Sequence, residues 1–381
     1  MRVSLVATAA VVACVQSATA QSSASPSETI GWNARAAAAY LDARQAWWLS
    51  WPTAARDHET ACVSCHTALP YALARPALQK TLNEPSVGEP ERRLVENVVK
   101  RVQLWRDVDP FYPDQTRGLP KTSESRGTEA VLNALILANR DARVGSLSDD
   151  ARRAFDNLWQ LQFRAGDQKG AWAWLNFHYE PWEANGSPYF GAALAAIAVG
   201  TAPGGYASTP EIKDKLALLC SYLEHGADTV NVYNRVMGLW ASAELPGALS
   251  PARRQSIIDT IFAIQRADGG WSMSTLGRWA RADATPQDSS SDGYATGLVV
   301  LALERVAMAG ATSSTASTSV SRSDPRIRRG VGWLVAHQNP TTGAWAAQSL
   351  NKRRDPATDV GKFMSDAATA YAVLALLNGN R

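Results

Sequence analysis

Cysteine is scarce in this chain, with four residues in 381. Cys14 falls in an N-terminal apolar run, which leaves Cys62, Cys65 and Cys220 for the rest. There is no second Cys-x-x-Cys, so a zinc site built on two such pairs is excluded. Charge of one sign is never massed either. The formal net charge is +3, it falls by one without Arg2, and no block of like residues occurs. That pattern gives no footprint for a nucleic-acid partner. Long apolar runs are also missing: beyond Val15 no segment reads as a membrane span, which needs about 20 apolar residues.

What is present begins with an export pattern. Met1-Arg2 is followed by an apolar run from Val3 to Val15 and by Ala18-Thr19-Ala20 before Gln21. A basic start, a short apolar core and an Ala-x-Ala site make a signal peptide over residues 1–20. A buried N-terminal helix is the alternative. Cleavage after Ala20 leaves 381 − 20 = 361 residues in a periplasmic or secreted chain. Residues 21–30, which include the polar run Ser22–Ser27, read as a flexible tail. The remaining 31–381 read as one large unit, supplied with 46% hydrophobic residues and 14 tryptophans for a core.

The densest chemistry sits at Cys62-Val63-Ser64-Cys65-His66. Two thiols at this spacing can each add across a vinyl group of one haem, and the adjacent imidazole can ligate the iron. Cys62, Cys65 and His66 are therefore expected to hold a covalent haem c, with His66 the proximal ligand. Two rivals stand beside this reading. One is a Cys62–Cys65 disulfide in an oxidising compartment, and the other is a zinc ion with at most three ligands. Cys220, in the apolar run Leu216–Leu223, reads as a buried free thiol.

Internal repeats organise everything else. A Thr that runs into a small-apolar helix recurs at Thr128–Leu135, Thr296–Leu303 and Thr369–Leu376. Looser copies are Thr67–Ala74, Tyr189–Ala198 and Met237–Ala243. These helices are apolar nearly all round, as helices buried on every side are. Amphipathic helices alternate with them: Ala34–Trp51, Glu91–Trp105, Asp149–Gln162, Ile212–His225, Pro251–Gln265 and Arg326–Gln338. Three of these end in related turns, Gln265-Arg-Ala-Asp-Gly-Gly-Trp271, Gln338…Gly343-Ala-Trp345 and Gln162…Gly170-Ala-Trp172. In each turn Gly breaks the helix, Trp fills the gap between hairpins, and Gln bonds the freed backbone groups. Six outer and six inner helices predict an all-α fold, a closed alpha-alpha six barrel, with an open solenoid as the alternative. Gly310–Ser323, rich in Ser and Thr, reads as a surface insertion before the sixth hairpin.

The Gln-x-x-Asp-Gly-Gly-Trp turn, its looser copies and the hairpins resemble the squalene/terpenoid cyclase and prenyltransferase toroid superfamily over about Gly31 to Leu377. A closer likeness is to secreted bacterial proteins that join this toroid to a Cys-x-x-Cys-His site. The resemblance implies an alpha-alpha barrel whose apolar cavity takes isoprenoid-like molecules. The cyclases' Asp-x-Asp-Asp acid is not reproduced by Asp107-Val-Asp109-Pro110 or by Ser148-Asp149-Asp150.

Aligning the repeats puts His66 at the start of the first inner helix, so the haem is expected at one mouth of the barrel. Candidate sixth ligands at that mouth are His58, His178, Met273 and Met364, with water as the alternative. Propionate partners are sought in Arg126, Arg278 and Lys352-Arg353-Arg354. Asp292, Asp366 and Glu129 read as caps or dipole partners of helix starts. Trp182 and Glu183 read as the cavity lip. The resulting expectation is an exported c-type haem protein, an electron carrier or an oxidant of a hydrophobic molecule. It would use a small hydrophobic ligand, a redox partner protein, no nucleic acid and no membrane span in the mature chain. The alternatives are a non-enzymatic lipid- or protein-binding toroid, and a terpenoid cyclase-like enzyme without the usual acid.

Overall fold

The computed structural model describes residue 1 and residues 31–116, 118–312 and 320–379. The expected signal peptide, the expected tail and the middle of the Ser/Thr-rich insertion lie outside the described residues. The helical unit runs Trp32–Arg381.

Apolar helices without a polar face can lie only inside a molecule, and six of them form an inner ring. These are α2 (Ala68–Thr81), α4 (Thr122–Asp141), α6 (Ser187–Thr201), α8 (Val232–Glu244), α11 (Gly293–Thr312) and α13 (Phe363–Gly379). Each packs on the next, and α13 packs back on α2, so the ring closes. The outer layer is α1 (Ala34–Ser50), α3 (Glu89–Gln103), α5 (Asp149–Gln160), α7 (Lys213–Gly226), α9 (Pro251–Ala263) and α12 (Pro325–His337). A one-turn helix, α10 (Met273–Leu276), sits in the fifth hairpin. The fold is a closed alpha-alpha toroid in a single domain, and the open solenoid is set aside. A two-residue hairpin, β1 (Ala55–Arg56) with β2 (Thr60–Ala61), is the regular β-structure among the described residues.

The repeated turns show how neighbouring hairpins are clasped. Trp172, Trp271 and Trp345 are each buried and donate their indole N–H to the last turn of the outer helix before them. The acceptors are the Leu158, Ile261 and Leu334 carbonyls, at 2.6, 2.8 and 2.8 Å. Gln162, Gln265 and Gln338 each donate twice, once to the turn glycine's carbonyl and once to the start of another outer helix. The second acceptors are Lys215, Arg326 and Asn33. Gln338 thus ties the last outer helix to the cap of the first. Gly170, Gly269 and Gly343 hold φ of +98, +91 and +75 and lie against that neighbouring outer helix. A Cβ on Gly343 would meet the Ala36 backbone at 2.2 Å, so only glycine fits.

The repeated threonine has a different role from a helix start. Helices α4, α11 and α13 begin three to six residues before Thr128, Thr296 and Thr369. The three hydroxyls accept from the backbone N–H of Leu175, Trp271 and Trp345. They fasten the inner helices to the turns from within the core.

Two segments, Gly293–Ala311 and Val360–Asn378, are long and apolar enough to cross a membrane, which corrects the expectation that none reaches that length. Both are inner-ring segments, 72% and 78% buried, and their apolar surface is used by the core.

Candidate mouth cavity at the inner-helix starts

The Cys62–His66 segment joins β2 to α2 and is held at several points. Cys62 N–H donates to the Ala54 carbonyl at 2.8 Å, and the Cys62 carbonyl accepts from Trp48 Nε1 at 2.7 Å. Ser64 Oγ accepts from the Thr67 and Ala68 N–H groups, so it caps α2. Behind β2, the fully buried Arg101 bonds Thr60 Oγ1 at 2.6 Å, the Asp109 carbonyl at 2.7 Å and Glu129 Oε1 at 2.5 Å. Glu129 is therefore an ion-pair partner and not a helix cap. Asp292 does cap α11, accepting from Tyr294 and Ala295 N–H.

His66 sits in an aromatic box. Its ring stacks on Phe363 with centroids 3.9 Å apart, meets Trp48 edge-on at 5.1 Å and leans on Trp182 at 5.5 Å. Burial, with the cationic Arg44 and Arg354 nearby, pushes its pKa down to about 3, so the imidazole is neutral at pH 7. Nδ1 is bonded to Thr67 Oγ1 at 2.8 Å, and Thr67 Oγ1 donates to Asp366 at 2.7 Å. Asp366 also accepts from Arg44 Nε and the Tyr40 hydroxyl. It lies inside the first turn of α13 but bonds across hairpins, so the cap reading of Asp366 is corrected.

His66 opens on a cavity of about 200 Å³. Aromatic rings dominate its wall: Trp48, Trp51, Tyr112, Tyr179, Trp182 and Phe363. Thr53, Glu183, Ser349, Asn351 and Arg354 supply polar groups beside His66, and Cys65 and Met364 also line it. Of the residues singled out in the sequence, the fold brings together Cys65, His66, Trp182, Glu183, Arg354 and Met364. The others lie elsewhere. His58 is exposed in the β-hairpin turn and bonds Asp57. His178 is exposed on its loop, and Arg278 and Lys352-Arg353 are exposed too. Arg126 bonds the Val108 carbonyl and lies over the Trp105 ring. Met273 lines a different cavity, beside Asp288 and Asp292. Trp48, Phe363 and Asn351 had no sequence signal, because only the meeting of the first and last hairpins brings them together.

Of the Cys-x-x-Cys-His motif, Cys65 and His66 line the cavity and Cys62 does not. Among the described residues no group of three or more His, Cys, Asp or Glu is placed to hold a metal ion, which gives the zinc rival no support. Neither cysteine is in a disulfide. Both are buried; burial pushes the Cys62 thiol up to about 12 and the Cys65 thiol well above its ordinary value. Protonated thiols of this kind are inert as nucleophiles.

No family model matches the chain, and no curated protein matches it. Solved structures do resemble it. A polysaccharide lyase has a TM-score of 0.53 at 11% identity, over 91% of this chain and 96% of that one. An inactive variant of the alpha-1,6-mannanase of Salegentibacter sp., bound to alpha-1,6-mannotetrose, has 0.53 at 12%, over 90% and 99%. The unsaturated glucuronyl hydrolase of Bacillus sp. GL1 has 0.53 at 12%, over 90% and 95%. At these identities the likeness shows the fold. Carbohydrate-active toroids as neighbours, with no metal-holding group at the motif, overturn the expectation of a haem-dependent redox protein and its keywords of haem, iron and cytochrome. The lipid-binding and cyclase-like alternatives gain no support either. What the chain shares with these structures is the alpha-alpha toroid.

Proposed function

We propose that this toroid acts on a glycan, taking a sugar unit into the cavity at the inner-helix starts. The observation that carries the reading is the composition of that cavity. Flat indole and phenol faces are matched to the C–H faces of a pyranose ring, while Glu183, Asn351 and Arg354 stand among them to meet hydroxyl and carboxylate groups. The named carbohydrate-active neighbours support it at the level of fold. Export, read from the first twenty residues, belongs to the same proposal, because large polysaccharides are met outside the cytoplasm.

The polar set favours an acidic sugar. Arg354 offers a guanidinium to a uronate carboxylate, and Asn351 offers an amide. Hydrolysis of the usual kind uses two carboxylates about 5–9.5 Å apart, and Glu183 is the one carboxylate among the cavity's lining residues. Elimination asks for less: a group that holds the uronate carboxylate and one that takes the proton from the carbon beside it, a C=C bond forming to the neighbouring carbon as the glycosidic oxygen leaves and receives that proton back. Glu183 is the group we assign to proton transfer.

The test is titration of the purified exported protein with uronate and neutral oligosaccharides, followed by tryptophan fluorescence and by ultraviolet absorbance of an unsaturated product. The expected result is binding of the uronate oligomer, weakened about tenfold or more in Arg354→Ala. A protein that binds neither class, or that carries covalent haem in its optical spectrum, overturns the reading.

A further inference from the structure

The hydrogen-bond chain behind His66 has a direction, and the direction settles which ring nitrogen carries the proton. Arg44 on α1 donates through Nε to Asp366 Oδ1 at 2.7 Å and through Nη1 to Asp359 at 2.7 Å. Tyr40, one turn earlier, donates its hydroxyl to the same Asp366 oxygen at 2.9 Å. The other oxygen, Oδ2, accepts from Thr67 Oγ1 at 2.7 Å. Arg44 and Asp366 are both buried; burial pulls the Asp366 carboxyl up, but the permanently charged Arg44 guanidinium in contact, with Tyr40 and Thr67 also donating to it, keeps it a carboxylate, so Asp366 has no proton to give. Thr67 has one hydroxyl proton, and Asp366 takes it. The 2.8 Å contact between Thr67 Oγ1 and His66 Nδ1 must then be a donation from the ring. Nε2 is left with its lone pair and makes no hydrogen bond among the described residues.

We propose that Thr67 and Asp366 are positioning residues that hold His66 in its Nδ1–H tautomer, so that Nε2 accepts a hydrogen bond from a hydroxyl-bearing ligand in the cavity. The low basicity of the ring supports this role, since burial pushes its pKa down to about 3 and Nε2 stays an acceptor at pH 7. Thr67 and Asp366 stand 299 residues apart. The relay therefore exists only where the first and last hairpins meet, and closure of the ring and orientation of the imidazole are one event. The hydroxyl ligand rests on the glycan reading above; the tautomer does not.

The experiment is long-range proton–nitrogen NMR on the full chain labelled with ¹⁵N-histidine. The chain has five histidines, and His66→Gln assigns the signal. The expected result is a protonated Nδ1 in the native chain and in Thr67→Ser. In Thr67→Val the tautomer ratio should move about tenfold toward Nε2–H, the effect of one buried hydrogen bond. A protonated Nε2 in the native chain, or an unchanged ratio in Thr67→Val, overturns the relay. Should the valine variant fail to fold, the native and serine spectra still decide. Adding a uronate trisaccharide should shift the Nε2 resonance. A native Nδ1–H signal that no oligosaccharide shifts leaves the relay standing and sinks the ligand.

Discussion

At His66 the price of burial is a dependence of stability on acid. The ring's folded pKa is about 3, against an ordinary value of 6.5. The unfolded chain therefore binds a proton between these values that the folded chain refuses, with Arg44, Arg354 and the Asp366 carboxylate the charged groups around the ring. The contribution is fully present above pH 6.5 and is lost as pH falls toward 3, up to roughly 5 kcal/mol. Urea unfolding at pH 7 and at pH 4 measures it, and His66→Gln should flatten the difference while other acid-sensitive groups keep theirs. The buried Arg101–Glu129 pair gives a second residue-scale expectation. Removing one partner, as in Glu129→Ala, leaves the fully buried Arg101 guanidinium with only Asp57, 3.8 Å away, as counter-ion and should cost about 3 kcal/mol in the same unfolding measurement. Replacing both by apolar residues of similar volume should cost far less.

Among the elements, the Gln–Gly–Trp clasps account for the stability of each hairpin junction. Gln338→Ala removes the donations to the part-buried Gly343 carbonyl and the exposed Asn33 carbonyl, a loss of about 0.5–1.5 kcal/mol. Gln265→Ala should cost a similar amount, because its bonds to Gly269 and Arg326 are the same pair one hairpin earlier. Thermal unfolding of the two variants compares them, and a much smaller loss in either would mean that its clasp is replaced by water. Gly343→Ala should be worse than an ordinary glycine change, because positive φ and the Ala36 backbone both oppose a Cβ. These clasps were readable in the sequence. Their partners in the next outer helix were not, since nothing local marks Lys215, Arg326 or Asn33 as acceptors.

Taken whole, the ring has no end repeats with polar outer faces, so each inner helix depends on two neighbours. Deleting the sixth hairpin by ending the chain after residue 312 would expose the apolar sides of α2 and α11 at once. We expect the full chain to unfold in one cooperative step and the shortened chain to aggregate, checked by urea titration with light scattering. A shortened chain that stays monomeric and helical would show that the hairpins are independent units. The fold was legible from repetition: a period of outer and inner helices, all-round apolar faces and recurring turns need only local rules. The membrane-span count erred for a related reason, because an inner toroid helix and a spanning helix share length and composition and differ only in what surrounds them.

By itself, the sequence determined the number of hairpins, which helices are buried and where the turns fall, since periodicity and glycine chemistry act within a few residues. It also marked Cys62–His66 and the Trp182–Glu183 lip as unusual. Only the tertiary structure decided what surrounds them. Trp48, Phe363, Asn351, Arg354 and Asp366 reach His66 from the first and last hairpins and from the loops between, and ring closure alone brings them together. The two cysteines looked like one chemical unit at a spacing of three. In the folded chain Cys65 lines the cavity and Cys62 does not, because the backbone between them is pinned to Ala54, Trp48 and the start of α2.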